Sequence, residues 1–406
     1  MRKIVLFSND FPPKIGGVAN YSFHIACELQ NRDMFSHAIT SVPQSEVYPF
    51  PVEPSLLRHK RKLGQRTGDG LFFLRKVNTM LHYLNLHIAS AREVLRIRRT
   101  VKSPLVFVTA NYDYQTGIFI RWCRRMSMPY GIVLHGLDII RYEVQGRKRF
   151  AGNCRYARFL VFNSVASSEL FKRHMNMQHP KSYVLYPGVN TDALAHATLS
   201  DRNALIARFG LPPAPGSWIV SVCALVKRKG IHLVISAMKK LLESNPQVHY
   251  LIAGEGDEGP VLQALVQELG IGSNVHFLGH VTEDEKCSLL NAASLFAMPN
   301  LSLNGEDFEG FGISFLEALY FGNMVIGGND GGVPEAVPRT SFCRLVNADA
   351  VDAVEQISEQ LQSLLSDMPS DKSALKETGR KWVKERFSWN LLADRFVVQL
   401  KQWDEL

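Results

Sequence analysis

The segment from Asn304 to Leu319 sets a glycine-containing loop, ending at Gly310 to Gly312, directly before a helix expected to start at Ile313. Free backbone N–H groups at a helix start, with the positive end of its dipole, suit phosphate oxygens. Two carboxylates flank that start, Glu309 in the loop and Glu317 one to two turns into the helix. Carboxylates repel phosphate, so they fit hydroxyl groups of a sugar or a ribose. A second segment, Lys227-Arg228-Lys229-Gly230, carries three cations out of an expected strand, where α/β units bind phosphates. The loop from Gly327 to Glu335 suggests close backbone approach to a ligand, and His135 ends another strand ahead of Gly136 and Asp138.

These residues need a scaffold that delivers strand ends to one place. Apolar runs at Lys3 to Phe7, 105–109, Tyr130 to Leu134 and Phe159 to Phe162 alternate with helical patterns. A second series follows the Pro/Gly cluster at 211–216, with strands expected at Trp218 to Val222, 248–253, Val275 to Leu278, Leu295 to Met298 and 324–326. Strands alternating with helices imply parallel sheets covered on both faces, here two successive doubly wound α/β units. Their ligands are expected beyond the C-terminal strand ends, in a cleft between the units. The stretch 43–104 breaks the alternation. It holds the basic run 58–62 and a helix on which Leu84, Ile88, Ala91 and Leu95 form an apolar stripe beside Arg92, Arg96 and Arg99. We expect that stripe to pack in the core with a solvated basic flank; the alternative is a surface for anionic lipid or a phosphorylated acceptor.

Length and composition exclude much else. With 406 residues, 46% hydrophobic and 21% charged, the chain fits two globular domains. No run of about 18 apolar residues occurs, so neither a membrane span nor a signal peptide is expected. The six cysteines lack metal-ligand spacing and read as reduced thiols. Charge is uneven: residues 1–200 hold 28 Lys+Arg against 12 Asp+Glu, and the rest 18 against 26. A basic first half suits an anionic partner. The run Gly254-Glu-Gly-Asp-Glu-Gly259 matches a dinucleotide fingerprint in its glycines, yet Glu255, Asp257 and Glu258 would repel a pyrophosphate. Zincin, nucleophile-elbow and Walker signatures are absent.

Together, Gly16-Gly-Val18, His135-Gly136, Tyr186-Pro-Gly-Val-Asn190, Lys229-Gly230, Glu309-Gly-Phe-Gly312 through Glu317, and Gly331-Gly-Val-Pro-Glu335 give a pattern spanning nearly the whole chain. It resembles the retaining glycosyltransferases of GT-B fold and family-4 type, the glycosyl transferases group 1. The resemblance implies an N-terminal acceptor-binding Rossmann-like domain (1–205), a C-terminal nucleotide-sugar domain (206–385) and a closing helix (386–406) that returns to the first. It implies that Gly16, Gly17, Phe311, Gly312 and Ile313 hold the donor diphosphate, with Lys229 supplying charge. Glu317 would bind the ribose and Glu309 the hydroxyls of the transferred sugar, with His135 near that sugar. No metal or cofactor is implied beyond a UDP- or GDP-linked sugar as donor substrate. The acceptor would be a glycan or lipid-linked molecule of the bacterial envelope or an exopolysaccharide, and nucleic acid is not expected. The implied location is cytoplasmic, at the inner face of an anionic membrane.

One departure is plain. Where the family reads Gly-Arg-Leu, this chain has Cys223-Ala-Leu225, so Ala224 replaces the diphosphate-clamping arginine, and Lys227 or Arg228 is expected to substitute. A 2-epimerase or glycan phosphorylase of the same architecture, or a non-catalytic partner subunit, stays open as an alternative.

Overall fold

The computed structural model describes residues 2–14, 16–41, 47–56, 72–109, 114–140, 146–213, 216–303, 307–369 and 371–406. The basic run 58–62 lies outside the described residues, as do 214–215 of the Pro/Gly cluster. The chain divides into two compact units, Met1–Tyr186 with Leu392–Leu406, and Pro187–Leu391.

Among the described residues, unit 1 holds strands β1 (Lys3–Phe7), β2 (Phe35–Thr40), β3 (Val52–Pro54), β4 (Pro104–Val108), β5 (Tyr130–Leu134), β6 (Phe159–Phe162) and β7 (Ser182–Val184). They form one parallel sheet in the order β3-β2-β1-β4-β5-β6-β7. All five residues of β5 and all four of β6 are buried, as continuous apolar strands must be when helices cover both faces. Helices α1 (Gly17–Asn31), α2 (Phe72–Thr100), α3 (Tyr114–Arg125), α4 (Leu137–Ile140), α5 (Arg147–Arg155) and α6 (Val165–Met175) supply that cover.

Unit 2 holds α7 (Thr191–Ala195), α8 (Arg202–Phe209), β8 (Trp218–Val222), α9 (Ile231–Ser244), β9 (His249–Ala253), α10 (Gly259–Leu269), β10 (Val275–Gly279), α11 (Glu283–Ala292), β11 (Leu295–Met298), α12 (Ile313–Tyr320), β12 (Met324–Gly328), α13 (Val333–Ala336), β13 (Cys343–Val346), α14 (Ala353–Ser366) and α15 (Ser373–Phe387). Its parallel sheet runs β10-β9-β8-β11-β12-β13. In both sheets the order reverses once, between β1 and β4 and between β8 and β11, which is where open α/β sheets take ligands.

The division at 186/187 falls ahead of the expected 205/206 boundary because α7 and α8 belong to unit 2. The Ser200 N–H donates to Ser288 Oγ at 2.9 Å, Arg208 pairs with Glu285 at 2.7 Å, and the Arg202 guanidinium lies 4.1 Å from the Trp218 ring centroid. At the other end α16 (Trp389–Gln402) runs through the second boundary, 391/392 rather than 385/386. Its later residues join unit 1: Phe396 stacks on Phe107 at 5.4 Å and Trp403 on Phe159 at 5.8 Å. The chain then ends on a charged clamp. The buried Glu405 carboxylate meets Arg2 and Arg158 at 2.9 Å and Lys181 at 2.7 Å.

The helix expected at 84–99 exists, but its buried face is not the expected stripe. Leu86, Ser90, Glu93, Val94 and Ile97 are buried, while Leu84, Ile88 and Leu95 are 55%, 42% and 39% exposed. The inward carboxylate is satisfied, since Glu93 accepts from the Leu56 N–H at 2.8 Å and from Arg96 Nε at 2.8 Å. A bonded glutamate can therefore face inward while three larger apolar residues face out.

The Glu405 clamp makes a testable contribution to stability. Burial alone would raise its carboxyl pKa, but hydrogen bonds and charge from Arg158 and Lys181 outweigh that and hold it below the ordinary value. Its stabilisation is thus complete above the unfolded glutamate pKa of about 4.3 and is lost as pH falls through the lower folded value. Glu405→Ala is expected to cost about 1–3 kcal/mol at pH 7, the scale of hydrogen bonds to charged groups. Urea denaturation of both proteins between pH 7 and pH 3 checks this: the gap should narrow only at the acid end.

Candidate functional site

Unit 2 gathers its chemistry where β8 and β11 lie side by side. The chain leaves β8 through 223–226 into one 3-10 turn, Lys227–Lys229, and then into α9; from β11 it passes Pro299 to Asn300. Lys229 Nζ donates to Glu309 Oε2 at 2.6 Å, and Asn300 Nδ2 donates to the same oxygen at 3.1 Å. Arg228 Nε lies 3.7 Å from that oxygen and 3.3 Å from Asp307 Oδ1. Lys229, Glu309 and Asn300 are all buried. Burial pushes the Glu309 carboxyl pKa up, but Lys229 and Arg228, with hydrogen bonds from Lys229 and Asn300, prevail and hold it below the ordinary value. Glu309 is therefore a fixed anion with a fixed orientation.

The cluster is not fully satisfied. Among the described residues Arg228 Nε and Asn300 Oδ1 are buried without a hydrogen-bond partner. Among the described residues nothing donates to Glu309 Oε1, and Lys229 Nζ spends one of its three donors on Glu309. Unpaired buried polar atoms in a native fold call for an explanation, and a polar ligand with hydroxyl and anionic groups supplies one.

Directly after Glu309, Gly312 takes φ 92° as the residue before α12, and no side chain caps that helix. A Cβ at Gly312 would stand 2.7 Å from the Phe315 ring, so only glycine fits a start that leaves the first turn open to an anion. Phe311 is buried and Ile313 opens the helix, as read from sequence. On α12, Glu317 meets Lys286 Nζ of α11 at 2.7 Å, and Lys286 also meets Glu283 at 2.7 Å. Burial would lower the Lys286 pKa, yet these two carboxylates raise it above the ordinary lysine value.

The loop at 327–335, expected from sequence to approach a ligand, instead presses Gly331 and Gly332 on the protein itself. A Cβ there would come within 2.3 Å of the Glu309 carbonyl oxygen and 2.2 Å of that of Gly310, and the Gly332 N–H donates to the Glu309 carbonyl at 3.0 Å. That loop braces Glu309. The glycines of the fingerprint-like run 254–259 likewise serve packing: Gly254 and Gly256 lie under the backbone of Cys223 and Leu225.

The remaining predicted residues belong to unit 1. Gly17 opens α1 and Gly16 precedes it with φ 153°, with nothing within 4 Å of where a Cβ would stand. His135 directly follows β5, where the backbone N–H groups of His135, Gly136 and Ile139 converge on the Asp138 carboxylate at 2.9–3.0 Å. The His135 ring meets Tyr21 edge-on at 5.0 Å, and its Nε2 is buried without a partner. Burial lowers its pKa to about 4, so the imidazole is neutral near pH 7. The structure thus unites Arg228, Lys229 and Glu309, leaves Lys227 exposed, and engages Glu317 with Lys286. The sequence reading missed Asn300, Asp307 and Lys286. Asn300 was findable as a polar residue just beyond a fully apolar strand; Lys286, within Glu283-Asp-Glu-Lys286, carried no such signal.

Residues 208–382 match the family described as glycosyl transferases group 1. The chain is 33% identical to the GDP-mannose-dependent alpha-(1-6)-phosphatidylinositol monomannoside mannosyltransferase of Mycolicibacterium smegmatis, over 98% of this chain and 98% of that one. This chain belongs to the glycosyl transferases group 1. It is also 26% identical to a GDP-mannose-dependent monoacylated alpha-(1-6)-phosphatidylinositol monomannoside mannosyltransferase of Corynebacterium glutamicum, covering 98% of this chain and 97% of the relative. Among solved structures it is similar to Anabaena HepE in complex with UDP and glucose, with a TM-score of 0.72 and 19% identity over 99% of this chain and 100% of that one. That likeness shows the fold, which is the two-domain α/β GT-B fold of a family-4 type glycosyltransferase.

In this glycosyltransferase the Lys229–Glu309 pair should matter before any substrate binds. Lys229→Met leaves Glu309 buried beside only Arg228 and Asn300. A loss of about 2–4 kcal/mol is expected, toward the lower end of what breaking a buried pair costs. Denaturant unfolding without ligand measures it.

Proposed function

We propose that this glycosyltransferase moves a hexosyl group, with retained anomeric configuration and without a metal, from a nucleotide-diphospho-sugar to a lipid-linked acceptor of the cell envelope. The observation that carries the reading is the buried Lys229–Glu309–Asn300 cluster beside the uncapped start of α12. GDP-mannose is the favoured donor and a phosphatidylinositol mannoside-like glycolipid the favoured acceptor, because the relatives that match nearly end to end are named for them.

In this reading unit 2 holds the donor. The Lys229 ammonium and the first N–H groups of α12 stabilise charge that develops on the departing diphosphate, a preorganised electrostatic device. Glu309, fixed by its cation, offers Oε1 to sugar hydroxyls. Glu317, held by Lys286, accepts from the ribose. Unit 1 takes the acceptor, and the neutral His135 presents Nε2 to a hydroxyl group. For the missing arginine at Ala224, the best substitute is Lys227, which is exposed, whereas Arg228 lies against Asp307 and Glu309. The exposed apolar face of α2, with Leu84, Ile88 and Leu95 beside Arg92 and Arg99, suits peripheral contact with an anionic membrane on the cytoplasmic side.

A thermal-shift series with GDP, UDP, ADP and CMP should single out GDP; at about 100 times its dissociation constant a ligand adds about 2.7 kcal/mol. Lys227→Ala should weaken that binding about tenfold, or about 1.4 kcal/mol, and Lys229→Ala should lower kcat/KM by the equivalent of about 2–4 kcal/mol. NMR of the product should show the donor's α-anomeric configuration, and EDTA should leave the rate unchanged. No shift with any nucleotide would favour the partner-subunit reading, and inversion at C2 without transfer the epimerase.

For the membrane, co-sedimentation with phosphatidylglycerol vesicles at low salt should exceed that with neutral vesicles. Leu84→Glu with Ile88→Glu should remove the difference.

A further inference from the structure

A cavity of about 280 Å³ opens in unit 1 between α2, α3 and α5, with neither Gly16 nor His135 among its described lining residues. Arg121 and Arg124 of α3, Lys148 and Arg149 of α5, and His87 of α2 line it, with no carboxylate among the described lining residues. Among the described residues none of the three arginines or the lysine forms an ion pair. Such a cluster has a cost in the unliganded protein. Burial first, and then the neighbouring arginines, lower the pKa of both Arg121 and His87, which marks cations facing cations.

The placement on α5 is the second anomaly. Its first turn carries Arg147, Lys148 and Arg149 and no acid, and Gly146 before it provides no side-chain cap. Cations at the positive end of a helix dipole are unfavourable, and an anion there is favourable. The cavity walls also include Tyr114 and Ile118, so the space is part polar and part apolar. Arginine forks match phosphate oxygens two at a time, and a volume near 280 Å³ admits one phosphorylated ring rather than an extended polyanion.

We propose that this cavity is a binding site for a single phosphorylated polyol or sugar headgroup, held by Arg121, Arg124, Lys148 and Arg149. The site lies in unit 1 alone, so it stands or falls whether or not unit 2 takes a nucleotide. Free headgroup and membrane lipid share this chemistry.

The test compares the full-length protein with its Arg121→Ala/Arg149→Ala variant. Calorimetry at low salt uses inorganic phosphate and soluble glycerophosphoinositol, and co-sedimentation uses phosphatidylinositol vesicles against phosphatidylcholine vesicles. The expected result is headgroup binding by the native protein that falls about tenfold or more in the variant. The variant's melting temperature should equal or exceed the native one, because the removed charges repel each other. Loss confined to vesicles assigns the site to a lipid headgroup; loss with the soluble probe assigns it to a free one. Binding unchanged by the substitutions, no binding of any phosphate-bearing probe, or a variant that melts earlier would each overturn the proposal.

Discussion

The Lys229 ammonium and the Glu309 carboxylate sit 2.6 Å apart where both side chains are nearly removed from water. Neither charge is tolerable there alone, since an unpaired buried ion costs several kcal/mol. Each therefore dictates the position of the other. Lys229 comes from the turn after β8 and Glu309 from the loop after β11, so the pair ties together the two strand ends at the point where the sheet order reverses. Asn300 adds a neutral donor, and Gly331 and Gly332 pack against the Glu309 backbone from behind. The carboxylate is oriented by cation, amide and backbone at once, which is what a group needs if it is to place a substrate hydroxyl without reorganising.

Such a pair is poor evidence for stability as such, because a well-packed apolar replacement often does as well. What it supplies is a charge arrangement that the rest of unit 2 must accommodate. α12 starts right after the loop with its first N–H groups uncapped by any side chain, and Lys286 approaches from α11 to hold Glu317 one face further along. The order carboxylate, helix start, carboxylate follows from one loop and one helix, with the cation supplied by the turn after β8. Parallel strands make this affordable in backbone terms, since their hydrogen bonds are met within the sheet and the polar groups beyond the strand ends stay available.

Legibility in the sequence tracked how local each signal was. β5, β6, β8 and β11 were readable to the residue because each is a short run of mostly apolar residues, interrupted only by Gly131 in β5 and Ser221 in β8. β2 was missed since Ser36 and His37 interrupt it, and β3, β7 and β13 are short edge or near-edge strands with mixed burial. The start of α12 and the Glu309–Glu317 spacing were readable; that Glu309 faces Lys229, eighty positions away, was not. α2 shows the limit of periodicity. Its sequence has more than one stripe, and the choice fell to Glu93, whose bonds to Leu56 and Arg96 make a polar residue acceptable inside. Pattern alone assigns apolar residues inward, while satisfied polar groups can reverse the helix.

Two cationic clusters among the described residues differ in how their charge is met. In unit 2 Lys229 and Arg228 stand beside fixed carboxylates, so their charge is largely met within the fold. In unit 1 Arg121, Arg124, Lys148 and Arg149 meet no carboxylate among the described residues, and Lys148 and Arg149 stand at the wrong end of a helix dipole. A cluster selected for stability would have drawn in acids, as Glu405 does with Arg2, Arg158 and Lys181 in the same unit. The excess of positive charge in residues 1–200 is therefore not spread evenly over a solvated surface: part of it is neutralised at the chain end, and part is left facing a cavity.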